Sequence, residues 1–541
     1  MTSQLSQTQL NLKQLQDIVQ AVIAQQPTTS AQLTEIVRRQ AAGMGFAAPK
    51  KSELLKAYNA LLTTGVITDQ PIIRRLLIKR AVRTLSGVSI ITVLTKPFLC
   101  PGKCVYCPTE RGMPKSYLSN EPAAQRAVRN AFDPATMVRT RIAALEANGH
   151  EVDKIELIVL GGTWSAYPKH YQTWFITQCF YAANTYNQTA RAVKSLHDEQ
   201  LLNETARYKI IGITLETRPD HINDQEVIRM RNLGCTRVQL GVQHTDNAIL
   251  TLIKRGDTLE NAITATKLLK DAGFKVDHHY MPDLPGSTPQ KDLAMFEYIF
   301  TKPDLQPDQI KIYPCVVNEF ALLNKWYQAG TYTPYQPHVL VRLLLDIKKI
   351  IPPYVRINRL IRDIPGDSII AGNKVTNLRQ YLHQQAAAEG WSCACIHCRE
   401  VRSDDADSHT AQLTQRTYRA SGGTEHFISF ESTDEKKLYA FTRLRLNDSP
   451  EQVIFPELRG AALVRELHVY GQMTPVRDQH VAHIQGKTQH RGFGTRLMEH
   501  AEMIAKQNGY KKIAVISGVG VRNYYRKLGY ALEGSYMTKA L

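Results

Sequence analysis

The stretch SGVSIITVLTKPFLCPGKCVYCPTERG, residues 86–112, joins an apolar run directly to three cysteines. VSIITVLT, residues 88–95, is rich in β-branched residues and reads as a strand. Cys100, Cys104 and Cys107 follow it at C-x3-C-x2-C spacing. Thiols placed so closely serve either of two metals. Structural zinc takes four protein ligands, normally as a C-x2-C pair with another pair further on. Three ligands without a local fourth suit a [4Fe–4S] cluster whose remaining iron is open to an external molecule.

Working outward, strand-like runs recur at 155–163 (IELIVLGGT), 209–217 (KIIGITLET), 237–243 (RVQLGVQ), 275–285 (KVDHHYMPDLP) and 309–315 (QIKIYPC). Helical segments such as PATMVRTRIAALEANG and TLENAITATKLLKDAG alternate with them. Ordered βα repetition implies a parallel sheet closed or nearly closed into a barrel, so an α/β class with a partial (β/α) TIM-like barrel is predicted over 86–390. Chemistry in such barrels gathers at the C-terminal ends of the strands. Gly161, Gly162 and Thr163, then Glu216, Arg218, Gln239 and Gln243, fall there and are candidate contacts for a cofactor's amino, carboxylate, ribose and adenine groups. Lys275 and Lys311 lie on strands and are candidates for RNA or thioester contacts. Against each stands the plainer reading of a turn glycine or a solvent-facing loop residue.

Residues 1–85 read as a small helical domain, with Leu15, Ile18, Val19, Val22 and Ile23 at helical spacing. Its far end, PIIRRLLIKRAVR, carries Arg74, Arg75, Lys79, Arg80 and Arg83 without an acid, and VRINRLIRDIP adds Arg356, Arg359 and Arg362. In a chain of 541 residues with a formal net charge of +18 and a pI of about 9.4, such clusters point to a polyanion, nucleic acid before membrane. The start of the chain lacks a basic, apolar leader and no run is long enough to span a bilayer, which predicts a cytoplasmic protein. Cys179, Cys235 and Cys315 stand alone and read as small buried hydrophobes.

A second triplet, CACIHC, gives Cys393, Cys395 and Cys398 with His397 inside it. Here zinc is the stronger reading, a clip within a linker over 391–424, with the fourth ligand open. From 425 to 541 a separate α/β domain is predicted. Its QHRGFG motif fits Q/R-x-x-G-x-G/A, the acyl-CoA loop of the GNAT acetyltransferases, and assigns Gln489, His490, Arg491, Gly492, Phe493, Gly494 and Thr495 to the coenzyme. In GVGVRNYYRKLGY, Tyr524 and Tyr525 stand where such proteins keep a tyrosine near the thioester sulfur, with at least one of the pair expected in the core.

C-x3-C-x2-C with Tyr106 before the last cysteine resembles the signature of radical S-adenosylmethionine enzymes. With ITLETRPD, HHYMPDLPGST, ELHVYG, QHRGFGTRLMEHAE and SGVGVRNYYRKLGY, the chain resembles the Elongator catalytic subunits of prokaryotic type. That resemblance implies an acyltransferase carrying a [4Fe–4S] cluster, S-adenosylmethionine and zinc, acting on the wobble uridine of a tRNA anticodon stem-loop. It implies that a 5′-deoxyadenosyl radical takes hydrogen from the methyl of acetyl-CoA, that the carbon radical adds to uridine C5, and that thioester hydrolysis leaves a 5-carboxymethyl group. A homodimer is compatible with the sequence. Two other readings stay in play: a protein lysine acetyltransferase with a structural iron–sulfur barrel, and a tRNA-binding scaffold without turnover.

Overall fold

The computed structural model describes residues 10–78, 87–401, 406–471 and 492–541. The N-terminal unit packs helices α1 (Leu12–Gln25), α2 (Ser30–Gly43), α3 (Lys51–Thr63) and α4 (Pro71–Leu77) around Ile18, Val19, Leu33, Leu54, Tyr58 and Leu61. Asn11 and Thr29 cap α1 and α2 through capping boxes, satisfying amide groups that a bare helix start leaves open. Leu55 of α3 and Ile78 close over Gly149, where a Cβ would meet Leu55 Cδ2 at 2.4 Å, so this unit is fitted tightly to the next.

Seven parallel strands follow in sequence order: β1 (Ser89–Leu94), β2 (Lys154–Leu160), β3 (Lys209–Thr217), β4 (Cys235–Gln243), β5 (Lys275–Tyr280), β6 (Gln309–Ile312) and β7 (Arg356–Arg359). This is the open, partial barrel that the sequence predicts. Its seventh strand was not among the predicted ones. RINR has one fully buried apolar residue, Ile357, and its arginines read as a basic strip.

The second sheet runs β13 (Ala531–Glu533), β14 (Tyr536–Ala540), β12 (Lys512–Val515), β11 (Ala461–Val469), β10 (Leu438–Asn447), β9 (Gly423–Glu431) and β8 (Gln412–Arg419). It begins inside the stretch read as a linker, because β8 lies on β9 along its whole length. The helix Phe493–Gln507 covers one face of this sheet.

The other face lies on the floor of the barrel, at the N-terminal ends of its strands. Gly518 sits so close to β3 that a Cβ would meet the Ile211 carbonyl at 1.9 Å. Arg231 reaches the Ser517 carbonyl at 2.8 Å, and Tyr536 donates to the Ala272 carbonyl at 2.7 Å. Arg465 binds Asp308, just before β6, and the Phe274 carbonyl, just before β5. Arg443 donates to the Tyr354 carbonyl at 2.6 Å, just before β7. Arg231, Arg443, Arg445 and Arg465 are each fully buried. Such burial is tolerable only because acids and carbonyls meet them across the joint.

Candidate functional site

The first cysteine loop lies over the opposite mouth. Val105 N–H donates to the Ile253 carbonyl, and Arg255 from that segment reaches back to the carbonyl of Gly241 in β4 and to Cys104 Sγ at 3.6 Å. Cys100 Sγ lies 3.4 Å from Thr163 Oγ1, beyond β2. Burial pushes the Cys107 thiol up to about 12, against the pull of Lys115 and Arg362. The three thiols do not close into the 4.8 Å group that a single ion would need, whereas Cys393, Cys395 and Cys398 do. Spread thiols beside guanidinium groups fit a polynuclear anionic cluster better than one zinc ion.

Gly161 and Gly162 turn out of β2 with φ of +142° and +90°, and a Cβ at Gly161 would meet Thr95 Oγ1 at 1.7 Å. Glycine is obligatory there, and the backbone is bare at the strand end. Glu216 points into the same mouth, accepting from Tyr117 Oη at 2.8 Å with His279 Nδ1 3.7 Å away. Arg218, another predicted contact, is buried beneath the cysteine loop. Its guanidinium is spent on Asp220 and on the carbonyls of Arg255 and Gly256, and it packs under Gly102, so it braces the cysteine loop. Gln243 adopts φ +74° and its carbonyl accepts from Met281 N–H.

Below the mouth the lumen is lined by polar side chains that the sequence reading passed over, Gln239 and Lys311 excepted. Lys311 donates to Gln239 Oε1 at 2.6 Å; Asn358 donates to Asp277 and Gln309; Arg237 donates to Gln309 and Thr214 and pairs with Glu156. Burial pulls Lys311 down to about 8, with Asp277 and Glu216 opposing, and lifts Asp277. Burial also holds His279 well below the usual imidazole range, so it is neutral. Asp277 Oδ1 and His279 Nε2 are buried without a hydrogen-bond partner. The signal was present: Gln309 and Lys311, and Arg237 and Gln239, alternate with apolar residues, and Asp277, His278 and His279 run together in β5, although buried parallel strands normally read as continuous apolar runs. Lys275, at the foot of β5, faces the floor and lies 3.7 Å from Glu466 of β11.

In the second triplet, hydrogen bonds with the Cys393 and Cys398 thiols hold Cys395 well below the usual thiol range. His383, on the helix Leu378–Ala388, brings Nε2 within 3.4 Å of Cys398 Sγ, while His397 turns to Glu400 at 3.1 Å.

In the C-terminal domain, Gln489, His490 and Arg491 lie outside the described residues. Gly492, at φ +69°, caps the helix Phe493–Gln507, and among the described residues no side chain caps its first turn, whose amide groups suit an anion. A Cβ at Gly494 would meet Tyr524 Oη at 2.6 Å, and Thr495 hydrogen-bonds the same phenol. Tyr524 is exposed at this turn; Tyr525 is buried in the core. Phe493 is also a core residue, stacked on Phe430.

The basic strips divide. Lys79, Arg80 and Arg83 lie outside the described residues. Arg74 pairs with Asp69 and Glu151, while Arg75 lines an open cleft of about 640 Å³ with Lys51, Thr29 and Ser30. Arg356 turns to Glu400 and Tyr470 at the floor, which removes it from the predicted RNA surface. Arg362 clamps Ser116 and Glu121 beside the cysteine loop, and Arg359 pairs with Asp363 near the mouth.

Comparisons with known proteins follow the same division. Residues 97–299 match the radical SAM superfamily, 307–388 the Radical_SAM C-terminal domain, and 410–530 the acetyltransferase (GNAT) family. The chain is 42% identical over 513 residues to the tRNA uridine(34) acetyltransferase of Methanocaldococcus infernus, covering 92% of both. It is 41% identical to the protein of that name from Dehalococcoides mccartyi, covering 86% of this chain and 100% of the relative. Human Elongator complex protein 3 is 39% identical, with 85% of this chain and 86% of the relative covered. The solved archaeal M. infernus Elp3 with an N-terminal deletion superposes with a TM-score of 0.72 at 39% identity, over 85% of this chain and 100% of that one. Among the described residues, no helix is long and apolar enough to cross a membrane.

Proposed function

The chain belongs to the family of tRNA uridine(34) acetyltransferases and Elongator complex protein 3, and on that premise we propose that it builds a 5-carboxymethyl group on the wobble uridine of tRNA from acetyl-CoA. It is an enzyme of the radical SAM and GNAT type, an acyltransferase. The observation that carries the reading is one tight body with a cysteine triplet over one mouth of a barrel and an acetyltransferase sheet against the other. The lysine acetyltransferase reading is not favoured, since it has no use for the barrel.

When bound by Cys100, Cys104 and Cys107, a [4Fe–4S] cluster with S-adenosylmethionine would supply a 5′-deoxyadenosyl radical. Gly161, Gly162, Thr163, Glu216, Gln239 and Gln243 would line the cofactor. Arg255 faces Cys104 and offsets thiolate charge. Lys311, held by Gln239, offers an ammonium to a carbonyl oxygen of the reacting group. Tyr524, at the start of the coenzyme helix, would bracket the coenzyme arm, and that helix, with residues 489–495, would hold the pyrophosphate. Arg74, Arg75 and Arg359, with Lys79, Arg80 and Arg83, would meet the anticodon stem-loop. Cys393, Cys395 and Cys398 would hold zinc as a clip, with His383 as the fourth donor, tested by metal analysis of the purified protein and of His383→Ala. Light scattering tests assembly as a homodimer.

The test is anaerobic turnover of the protein reconstituted with iron and sulfide, with a one-electron reductant such as dithionite, S-adenosylmethionine, tRNA and methyl-deuterated acetyl-CoA. Carboxymethyluridine in the tRNA and deuterium in the 5′-deoxyadenosine are expected. Turnover without either product would overturn the reading.

A further inference from the structure

The two halves of the proposed reaction sit at opposite mouths of one barrel. The cysteine loop closes over the C-terminal ends of the strands, whereas the acetyltransferase sheet lies on their N-terminal ends. A six-residue strand such as β5 spans about 20 Å at 3.3 Å per residue. The acetyl group has to cover that distance before a radical at the upper mouth can reach it.

The floor shows where it starts. β11 and β12 pair in parallel only from Ala461 to Val464, opposite Lys512 to Val515. Beyond that point β12 turns away through Ser517 and Gly518 against β3, while β11 runs on to Val469 beside β10. From Arg465 onward one edge of β11 has no strand partner among the described residues, and it carries amide and carbonyl groups of the kind that an extended amide-bearing arm can pair with. A bulge at Arg465 directs both Arg465 and Glu466 at the barrel floor, Arg465 to Asp308 and Glu466 to Lys275. That edge thus faces the foot of the barrel, where Glu466 meets Lys275 at the start of β5.

The lumen above is built for a polar passenger. A stability-driven core would be apolar there, and each buried polar atom left unpaired costs about 1–3 kcal/mol. Three such atoms mark the route from floor to mouth: His468 Nε2 on β11, Asp277 Oδ1 in the middle, and Nε2 of His279, whose Nδ1 lies near Glu216. Between them stand the Arg237–Glu156 and Lys275–Glu466 pairs. Both are ion pairs between side chains, which can part without moving the main chain that carries them.

We propose that the barrel lumen is the passage by which the acetyl-bearing end of coenzyme A reaches the upper mouth, entering from the floor where Glu466 meets Lys275. The proposal rests on the reading that acetyl-CoA is the donor. The Glu466–Lys275 and Arg237–Glu156 pairs part to admit the arm, and the unpaired atoms of His468, Asp277 and His279 meet its amides and thioester carbonyl along the way.

The test uses bromoacetyl-CoA on full-length Thr214→Cys. Thr214 is buried within the lumen and accepts from Arg237 Nε at 2.8 Å, and cysteine is close to it in size. A thiolate at position 214 would displace bromide, forming one C–S bond to the acetyl carbon, and peptide mass mapping locates the adduct. The wild type records the alkylation of native cysteines, and Thr433→Cys, at an exposed position on the second sheet, records reaction from bulk solvent. The expected result is an adduct at position 214 that excess acetyl-CoA suppresses, with the Thr433→Cys adduct unaffected. Acetyl-CoA binding by calorimetry without an adduct at 214 overturns the passage and leaves the donor reading standing. No binding of acetyl-CoA by the wild type overturns both. Gln309→Cys, on the opposite wall of the lumen, is read the same way should Thr214→Cys fail to fold.

Discussion

At the first cysteine triplet each thiol leans on a different part of the barrel mouth, Cys100 on Thr163 and Cys104 on Arg255; at the second, three thiols crowd within 4.8 Å in the turn after the helix Leu378–Ala388. The donor atoms are the same in both. What differs is the backbone that carries them. The first triplet hangs from strand ends that also present Glu216, His279 and Lys311 to an open mouth, so a metal there has something to act on. The second faces Lys348 and His383 in a packed corner and has only chain to hold together. Reactivity here is a property of what the thiols overlook.

The sharpest way to break that contrast is substitution of one thiol in each. Cys104→Ser is expected to abolish 5′-deoxyadenosine formation outright, while Cys395→Ser keeps it and melts at a lower temperature. Chromatography of the nucleoside and thermal unfolding read the two effects, and equal loss of turnover in two folded variants would erase the distinction.

A second contrast, between mouth and floor, is tested next. Asp308 receives Arg465, Lys270 and Arg443 in a fully buried site, and those cations hold its carboxyl well below the usual range. Asp308→Asn is expected to cost on the order of 3–5 kcal/mol in denaturant unfolding, since it strands buried cations. Because the folded-state pKa is the lower one, this contribution is intact above the ordinary carboxylate range and fades as pH falls from there through the folded value.

At the mouth, Lys311→Met is expected to lower turnover on the order of 100-fold with little change in acetyl-CoA affinity. Burial has drawn Lys311 from 10.5 to about 8, so a rate that depends on its ammonium falls as pH rises through about 8. The variant should lose that inflection. Stability runs the other way: between about 8 and 10.5 the unfolded chain still holds a proton that the folded one has shed, and stability rises with pH there.

Smaller effects separate the tyrosines and the basic helix. Tyr524→Phe should slow turnover about tenfold, the worth of about one hydrogen bond, whereas Tyr525→Phe should alter unfolding more than rate. Arg75→Ala should lower the slope of log affinity for tRNA against log salt by slightly less than one, about 0.7–0.9 per lost phosphate contact. An unchanged slope would remove Arg75 from the RNA surface.

Much of this was legible in the chain. Six barrel strands declare themselves through β-branched runs, and both cysteine triplets through spacing. β7 hid behind its arginines, because four residues carry too little apolar signal. The floor was not legible at all. Arg443, Arg445 and Arg465 alternate with apolar residues as solvent-facing positions do, and nothing along the strand says that a second domain covers that face. The partners of Arg218, Arg356 and Lys275 were hidden for the same reason: a sequence displays a charge but not the group already holding it.

Gly518 carries one more consequence. Its backbone meets that of Ile211 with no room for a single carbon between them. Two domains joined main chain to main chain have no gap in which to rock, and any residue but glycine would prise them apart. The timing of the reaction cannot be kept by one domain swinging against the other. It has to be kept by side chains, turning aside one after another as each substrate arrives.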